Sequence, residues 1–561
     1  MYDQKEVWSK LNYEVLPYHW NDRSKFYKDY QFLDGVVERL LSLLAEKLNT
    51  LHGENRSLRY WRIIIGPWLC CFVQILYDRF SSIRQVVDSE KANLTWLPSS
   101  ELFEHVPKDF ATFQEWSLDD GYNQLLYAKV IETVGGIPFE VKKESLHMRS
   151  SAIRIKEFVP RGLKKVAKSF LEFYAKFIPE SFNEVVFVSS YLSSLDLVKL
   201  QLSLGLSPNP CSPRVEVRGS PPNPELRKII ELPMEQSKFE RLLQKLIPEA
   251  MPTAYIEEYV NVCEASRAMF PCRPKLIFST NALYGDEGFK FWAANQVERG
   301  VKLIVAQHGG MYGSALLSWS ESHETKLADQ YYTWGWDDPN QPKIIPMPSG
   351  QLAKVKKLIH SDPYGRILWL GKSLPRYSLH LSSAPMSSLF LDYIKDQERF
   401  LRAVSTEVQK LLLLRLFLHD FGWQEDLRLT DFDSSIRPYF GSKTMFEQLN
   451  ESRLCVGTCN STTDLETLSA NFPTITFWNP EHWELRKSAR SYFDDLLQVG
   501  ICHKTPESAA AKVNEVYKDP LSWWMSTEVQ DARKRFCNRF ARTSENWILE
   551  WKKEFKKIIK E

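Results

Sequence analysis

No two of the nine cysteines are spaced C-x-x-C. They are scattered (Cys70, Cys71, Cys211, Cys263, Cys272, Cys455, Cys459, Cys502 and Cys537) and odd in number, which argues against a disulfide framework or a thiolate zinc site and for a reducing compartment. Net charge is nearly absent: 72 Lys and Arg against 70 Asp and Glu leave +2, so the chain carries no nucleic-acid footprint and no nucleic-acid partner is expected. The opening MYDQKEVWSKLNYEV has neither a basic n-region nor an apolar core, so no secretory signal is expected. The most membrane-like run, Ile63 to Tyr77, stops at 15 residues between Arg62 and Asp78. A span needs about 20, so the run reads as a buried core helix after Pro67. A cytoplasmic protein is the expectation.

Signature motifs are missing as well. No H-E-x-x-H, P-loop, G-x-G-x-x-G or G-x-S-x-G pattern occurs, which removes the usual support for a metalloprotease, an NTPase, a dinucleotide enzyme or a serine hydrolase. The one Asp-x-Asp, Asp431-Phe432-Asp433, lies in the polar stretch LRLTDFDSSIRP rather than after an apolar strand. It reads as an exposed turn, and neither a metal nor a resident cofactor is expected.

What is present is a globular composition, 43% hydrophobic and 25% charged, on a chain of 561 residues, long enough for two domains. Up to about residue 130 the text is helical and aromatic-rich, as in DGVVERLLSLLAEKLNTLH (34–52). From about 183 it changes: NEVVFVSSYLSSLDLVKLQLSLG reads as a strand, a polar break and an amphipathic helix, half of a βαβ unit. A proline-rich surface excursion, 207–228, follows. Strand-like runs then recur, each ending in a polar or glycine-bearing loop: KLIFST (275–280), KLIVA (302–306) and DQYYTW (329–334). The segment 344–366, with three prolines and two glycines, marks a domain boundary, and a second alternating series begins at RILWLG (366–371). The expected architecture is α/β: two Rossmann-like, doubly wound domains facing a cleft, with ligands outside the carboxyl ends of the strands. The divisions are a mostly helical region 1–180 that belongs to or decorates the first domain, a first domain at 181–355, a second at 360–530, and a basic amphipathic helix at 531–561.

Two of the loops carry the strongest chemical signals. In SRLCVGTCNSTTDLETLSANFPTITFW (452–478), Asn460, Ser461, Thr462 and Thr463 crowd a turn at a helix N-terminus, where free amides, hydroxyls and the helix dipole suit phosphate. Thr463-x-x-Glu466 also fits a capping box, so Glu466 serves either the cap or a ribose. In QHGGMYG (307–313), Gln307 and His308 end an apolar strand beside Gly309 and Gly310, which let backbone approach a ligand. Lys372 and Arg376, after RILWLG, could offset phosphate charge; His419, after LLLLRLFL, is a third donor-side candidate.

These segments resemble the donor-nucleotide motif of GT-B glycosyltransferases. More narrowly, TNALYGDEGFKFWAA (280–294), QHGGMYGSAL (307–316), YYTWGW (331–336), LPRY (374–377), LHDFGW (418–423) and NSTTDLETLSANFPTITFWNP (460–480) resemble a transferase family of bacterial O-antigen and surface-polysaccharide clusters. The resemblance implies a two-domain transferase with a nucleotide-sugar as co-substrate and a glycan or lipid-linked glycan as acceptor. Such a transfer needs a base for the acceptor hydroxyl. Asp286, Glu287 and His308 are the candidates, with Asn281, Tyr284, Gln307, Gly309 and Gly310 lining the cleft. His308-Gly309 is also similar to the His-Gly motif of polyol-phosphate and capsule transferases. Two alternatives therefore stand beside sugar transfer: polyol-phosphate transfer on the same fold, and a non-catalytic nucleotide-sugar or glycan-binding protein.

The tail at 533–561 holds ten Lys and Arg against four Glu, with Trp547, Trp551, Phe555 and Ile558 on one stripe. Its two readings are a terminal helix packed across the domains, which is preferred, and peripheral contact with an anionic membrane.

Overall fold

The computed structural model describes residues 10–143, 184–209, 214–233, 237–434, 436 and 438–560. Cys211 and the expected boundary at 180/181 lie outside the described residues.

Two five-stranded sheets, parallel throughout, form the two lobes, as the alternating pattern implied. The first contains β3 (Val185–Val188), β4 (Leu276–Ser279), β5 (Lys302–Ala306), β6 (Gln330–Thr333) and β7 (Ile344–Pro346), in that spatial order. The second contains β8 (Arg366–Leu370), β9 (Leu412–Arg415), β10 (Ser452–Gly457), β11 (Thr474–Phe477) and β12 (Cys502–His503), ordered β12-β11-β10-β8-β9. Winding reverses between β8 and β10, the kind of switch point at which open α/β sheets bind ligands. A separate parallel pair, β1 (Thr95–Pro98) and β2 (Phe139–Lys142), belongs to the N-terminal region.

Both faces of each strand are apolar because helices cover both sides. In the first sheet Leu276, Phe278, Ile304 and Tyr332 point to one core, while Ile277, Leu303, Val305 and Tyr331 point to another. The second of these cores is closed by the helical N-terminal region: α1 (Arg23–His52) and α2 (Leu58–Ser89). Helix α2 is long and apolar enough to cross a membrane by length and composition, yet 83% of its most apolar window is buried in the protein. It runs through Pro67 rather than starting after it, as the sequence had suggested. At Gly66 a side chain would come within 2.7 Å of His323 on α4 (Trp319–Leu327), so glycine permits the helix crossing there.

The segment 344–366 is not a plain linker. Pro346 ends β7, an edge strand where a missing donor costs little, and the middle of the segment forms α5 (Gly350–Leu358). Strand β9 is shorter than LLLLRLFL implied, so Leu416 to Gln424, including His419, is a loop.

The chain ends by returning to the first lobe. Helix α6 (Trp547–Lys560) lays Trp547, Trp551, Phe555 and Ile558 against Phe187, Phe278 and Tyr332 of the first sheet. Each of these side chains contributes about 1.5–3 kcal/mol by burial. The stripe read as a candidate membrane face is thus sheet core, and Lys553, Lys556, Lys557 and Lys560 face outwards.

Candidate functional site

The carboxyl edges of the two sheets meet directly. Strand β5 ends at Ala306, and Gln307 is drawn inward. Its Oε1 accepts from the Trp334 amide at 3.0 Å and from Trp336 Nε1 at 2.8 Å, while its Nε2 donates to the Gly309 carbonyl at 2.9 Å. Gln307 is 2% exposed and fully engaged; it braces the glycine loop rather than facing a ligand.

That bracing presses the loop onto the other lobe. The Gly310 amide donates to Thr462 Oγ1 at 2.8 Å. A Cβ on Gly310 would lie 2.5 Å from Thr462 N and from Ser461 C, so only glycine fits. Asn460 Nδ2 donates to Ser314 Oγ at 3.3 Å beside this contact. The two loops that stood out in the sequence touch, where an open cleft had been expected between them. Around them the seam is stitched by backbone: Ala315 bridges to Leu485, Ser318 to Ser382, and the Leu316 amide donates to the Glu484 carbonyl at 2.8 Å.

On the second lobe the turn opens α7 (Thr462–Ser469). The capping box is Ser461 with Asp464, not Thr463 with Glu466. Glu466, 6% exposed, is pushed up to about 7 by burial and is bonded by Gln351 of α5, across the lobes. Thr463 Oγ1 contacts Met445 Sδ at 3.5 Å.

The remaining donor-side candidates scatter. Lys372 sits at the switch point, its amide donating to Tyr393 Oη at 2.7 Å and its ammonium 5.0 Å from the centre of the Phe417 ring. Arg376 is committed elsewhere: Nε donates to the Phe421 carbonyl at 2.9 Å, and Nη2 lies 3.2 Å from both oxygens of Asp120 in the N-terminal region. His419 packs edge-on against Phe421, on the loop whose tip, Leu418, is 91% exposed.

The three base candidates also separate. Glu287, 3% exposed, accepts from the Phe110 amide at 3.1 Å, from Tyr255 at 3.0 Å and from Lys290 at 2.9 Å. Lys290 also donates to the Ile64 carbonyl of α2 at 3.2 Å. Burial raises the glutamate and lowers the lysine, yet the pair binds the first sheet's helix to the N-terminal region. Asp286 caps that helix, α3 (Glu287–Glu298), accepting from the Phe289 amide at 2.9 Å, and burial raises its carboxyl. Both were read as cleft-facing acids; their partners lie on the helical side instead. Glu287→Ala should therefore cost stability, about 3 kcal/mol by urea denaturation, through the buried lysine left unpaired.

His308 is the candidate that stays at the edge, its side chain 21% exposed. Tyr191, Tyr284 and Tyr312 surround the ring at centroid distances of 5.8, 6.3 and 5.4 Å. Asn281 Nδ2 holds Tyr191 through its hydroxyl at 2.9 Å. Ser189 and Tyr191 both adopt positive φ, at 50° and 58°, which marks the loop after β3 as strained. Burial lowers His308 to about 4, so the imidazole is neutral at ordinary pH.

Behind it lies a residue the sequence reading missed. Glu324 of α4 is wholly buried, with Oε1 3.6 Å from His308 Nδ1. Oε1 also accepts from Tyr284 at 2.5 Å and Tyr312 at 3.0 Å, and Oε2 from Tyr331 at 2.8 Å. The tyrosines leave from β4, β5 and β6, so only the folded sheet assembles them.

A family model described as LIC12162 family transferase matches residues 1–555. The chain belongs to that family. No curated protein matches it. Among solved structures it is similar to MurG of Acinetobacter baumannii, at 13% identity over 53% of this chain and 77% of that one, with a TM-score of 0.29. It is also similar to the wall teichoic acid polymerase TagF, at 11% identity over 72% of this chain and 99% of that one, with a TM-score of 0.31. The transferase combines two Rossmann-like lobes with a helical N-terminal region that packs on the first.

Proposed function

We propose that the chain is a glycosyltransferase that moves a sugar from a nucleotide-activated donor to a bacterial surface-polysaccharide acceptor, of O-antigen or capsule type. The observation that carries the reading is the contact of the His308–Gly310 loop with the Ser461–Thr462 turn, carboxyl edge to carboxyl edge. In this reading the Thr462 and Thr463 amides and the α7 dipole receive the donor phosphate once the glycine loop lifts, and Lys372 adds a cation at the switch point. The acceptor hydroxyl approaches His308. Its oxygen bonds the sugar carbon, its proton passes to an imidazole nitrogen, and the phosphate leaves with the electrons of the broken bond. Asp286 and Glu287 drop out as bases, since their carboxyls are spent on helix capping and the Lys290 pair.

The chemistry asks for position and for charge stabilisation at the phosphate, and no step in it is assigned to a metal. The lipid-linked acceptor and the cytoplasmic location belong to the same proposal, and α6 offers a membrane only its lysine face. A thermal-shift series with CMP, UDP, GDP and dTDP tests the donor site. One nucleotide should stabilise the protein by about 3 kcal/mol at a hundredfold excess over its dissociation constant, and incubation with its sugar conjugates should yield transferred sugar. Silence from all four would remove the donor assignment.

A further inference from the structure

Glu324 differs from two other buried acids of the first lobe. Glu287 has Lys290, and Glu321, one turn earlier on α4, has Arg486 Nη2 at 2.7 Å. Glu324 receives no Lys or Arg among the described residues, only Tyr284, Tyr312 and Tyr331, with His308 at 3.6 Å. The other groups facing the cluster are Tyr191 from the loop after β3, Cys71 of α2 beside Tyr284, and the charge of Glu321. Three hydroxyl donors converging on one carboxyl build a place where a negative charge can reside without a cation.

We propose that Glu324 is a positioning residue whose carboxylate supplies the counter-charge when His308 takes a proton, and that it thereby sets the pH at which the transferase works. The proposal rests on His308 acting as the base. When Glu324 is protonated, a proton arriving at His308 makes a buried cation with no counter-charge, only the Thr280 backbone. When Glu324 is ionised, the same proton completes an ion pair within a low-dielectric pocket, where attraction is strong. No further atom moves: the acceptor's proton stays on the imidazole until the product leaves, and Glu324 keeps its charge throughout. Burial raises Glu324 to about 8 and lowers His308 to about 4, so at neutral pH the cluster is mostly uncharged and the competent form is gained as pH rises through about 8. The tyrosines keep the ionised carboxyl aimed at the ring.

The test is made on the full-length protein with ¹⁵N-labelled histidine, assigning the His308 ring by its loss in His308→Gln. In the wild-type protein the ring signal should move with a midpoint near 8, well above the imidazole's own protonation, and Glu324→Gln should abolish that step. Glu324→Asp, which keeps a carboxyl, should retain it at a shifted midpoint. In the transfer assay the wild-type rate should climb roughly tenfold per pH unit up to about 8, and Glu324→Gln should flatten that rise. A wild-type signal that does not move near pH 8 overturns the proposal, as does a step that survives in Glu324→Gln. The wild-type titration needs no substrate, and His308→Gln serves in it only to assign the ring signal. It therefore decides the role of Glu324 even if sugar transfer fails, whereas failure of transfer with an intact titration step counts against the proposed function alone.

Discussion

His308→Gln should lower kcat by about 10²–10⁴-fold, the range lost when a positioned base is removed, while the response to the donor nucleotide stays the same. Glutamine keeps a polar side chain of similar reach among Tyr191, Tyr284 and Tyr312, and its amide can still bond the Thr280 backbone that the ring meets. The separation matters because the Ser461–Thr463 turn lies on the other lobe. Initial rates at saturating donor report the base, and thermal shift reports the turn. Unchanged rates would show that His308 is not the base. Loss of both signals would mean that His308 shapes the donor site.

Gly310→Ala should produce a defect of a different kind. A methyl group there meets the backbone of Ser461 and Thr462 at 2.5 Å, and backbone cannot swing aside as a side-chain tip can. Contact between the lobes would have to open by about an ångström, and displacements of that size at a reacting centre cost on the order of 10²-fold. Gln307 cannot relax to absorb the shift, since its amide is bonded to Trp334, Trp336 and Gly309 at once. Activity should fall about a hundredfold with little change in urea-unfolding free energy, because the methyl disturbs a lobe-to-lobe contact rather than a core. A Gly310→Ala protein with wild-type rates would show that the contact plays no part in turnover.

These expectations show where the sequence was readable. The alternation of apolar runs with glycine-bearing loops sufficed to place two parallel sheets, because strands buried on both faces are unbroken apolar text. It also placed His308 and Ser461–Thr462 at carboxyl edges. It did not reveal that they touch, since the contact depends on a seam formed by 314–318, 382–383 and 484–486, which carry no motif. Glu287 looked like a first-turn acid because Asp and Glu favour that position anyway, and the 287/290 spacing to Lys290 becomes meaningful only once α2 covers both. Arg376 read as a free cation because its partner, Asp120, lies more than two hundred residues away in the chain. Glu324 was hidden for the opposite reason. SWSESHETK looks like a solvated helix, and the groups that make its glutamate special come from three other elements.

Helix α6 has one more consequence, which concerns how the protein is made. The ribosome finishes every strand of the first sheet by Pro346, yet the side chains that cover one face of that sheet, Trp547 to Ile558, emerge only after the whole second lobe. Through the synthesis of the whole second lobe, Phe187, Phe278 and Tyr332 lack their final cover, and such surfaces invite chaperone binding or aggregation. The first lobe is therefore not a separable part: a fragment ending near residue 358 should be insoluble, because the helix that covers its sheet is made only after the second lobe.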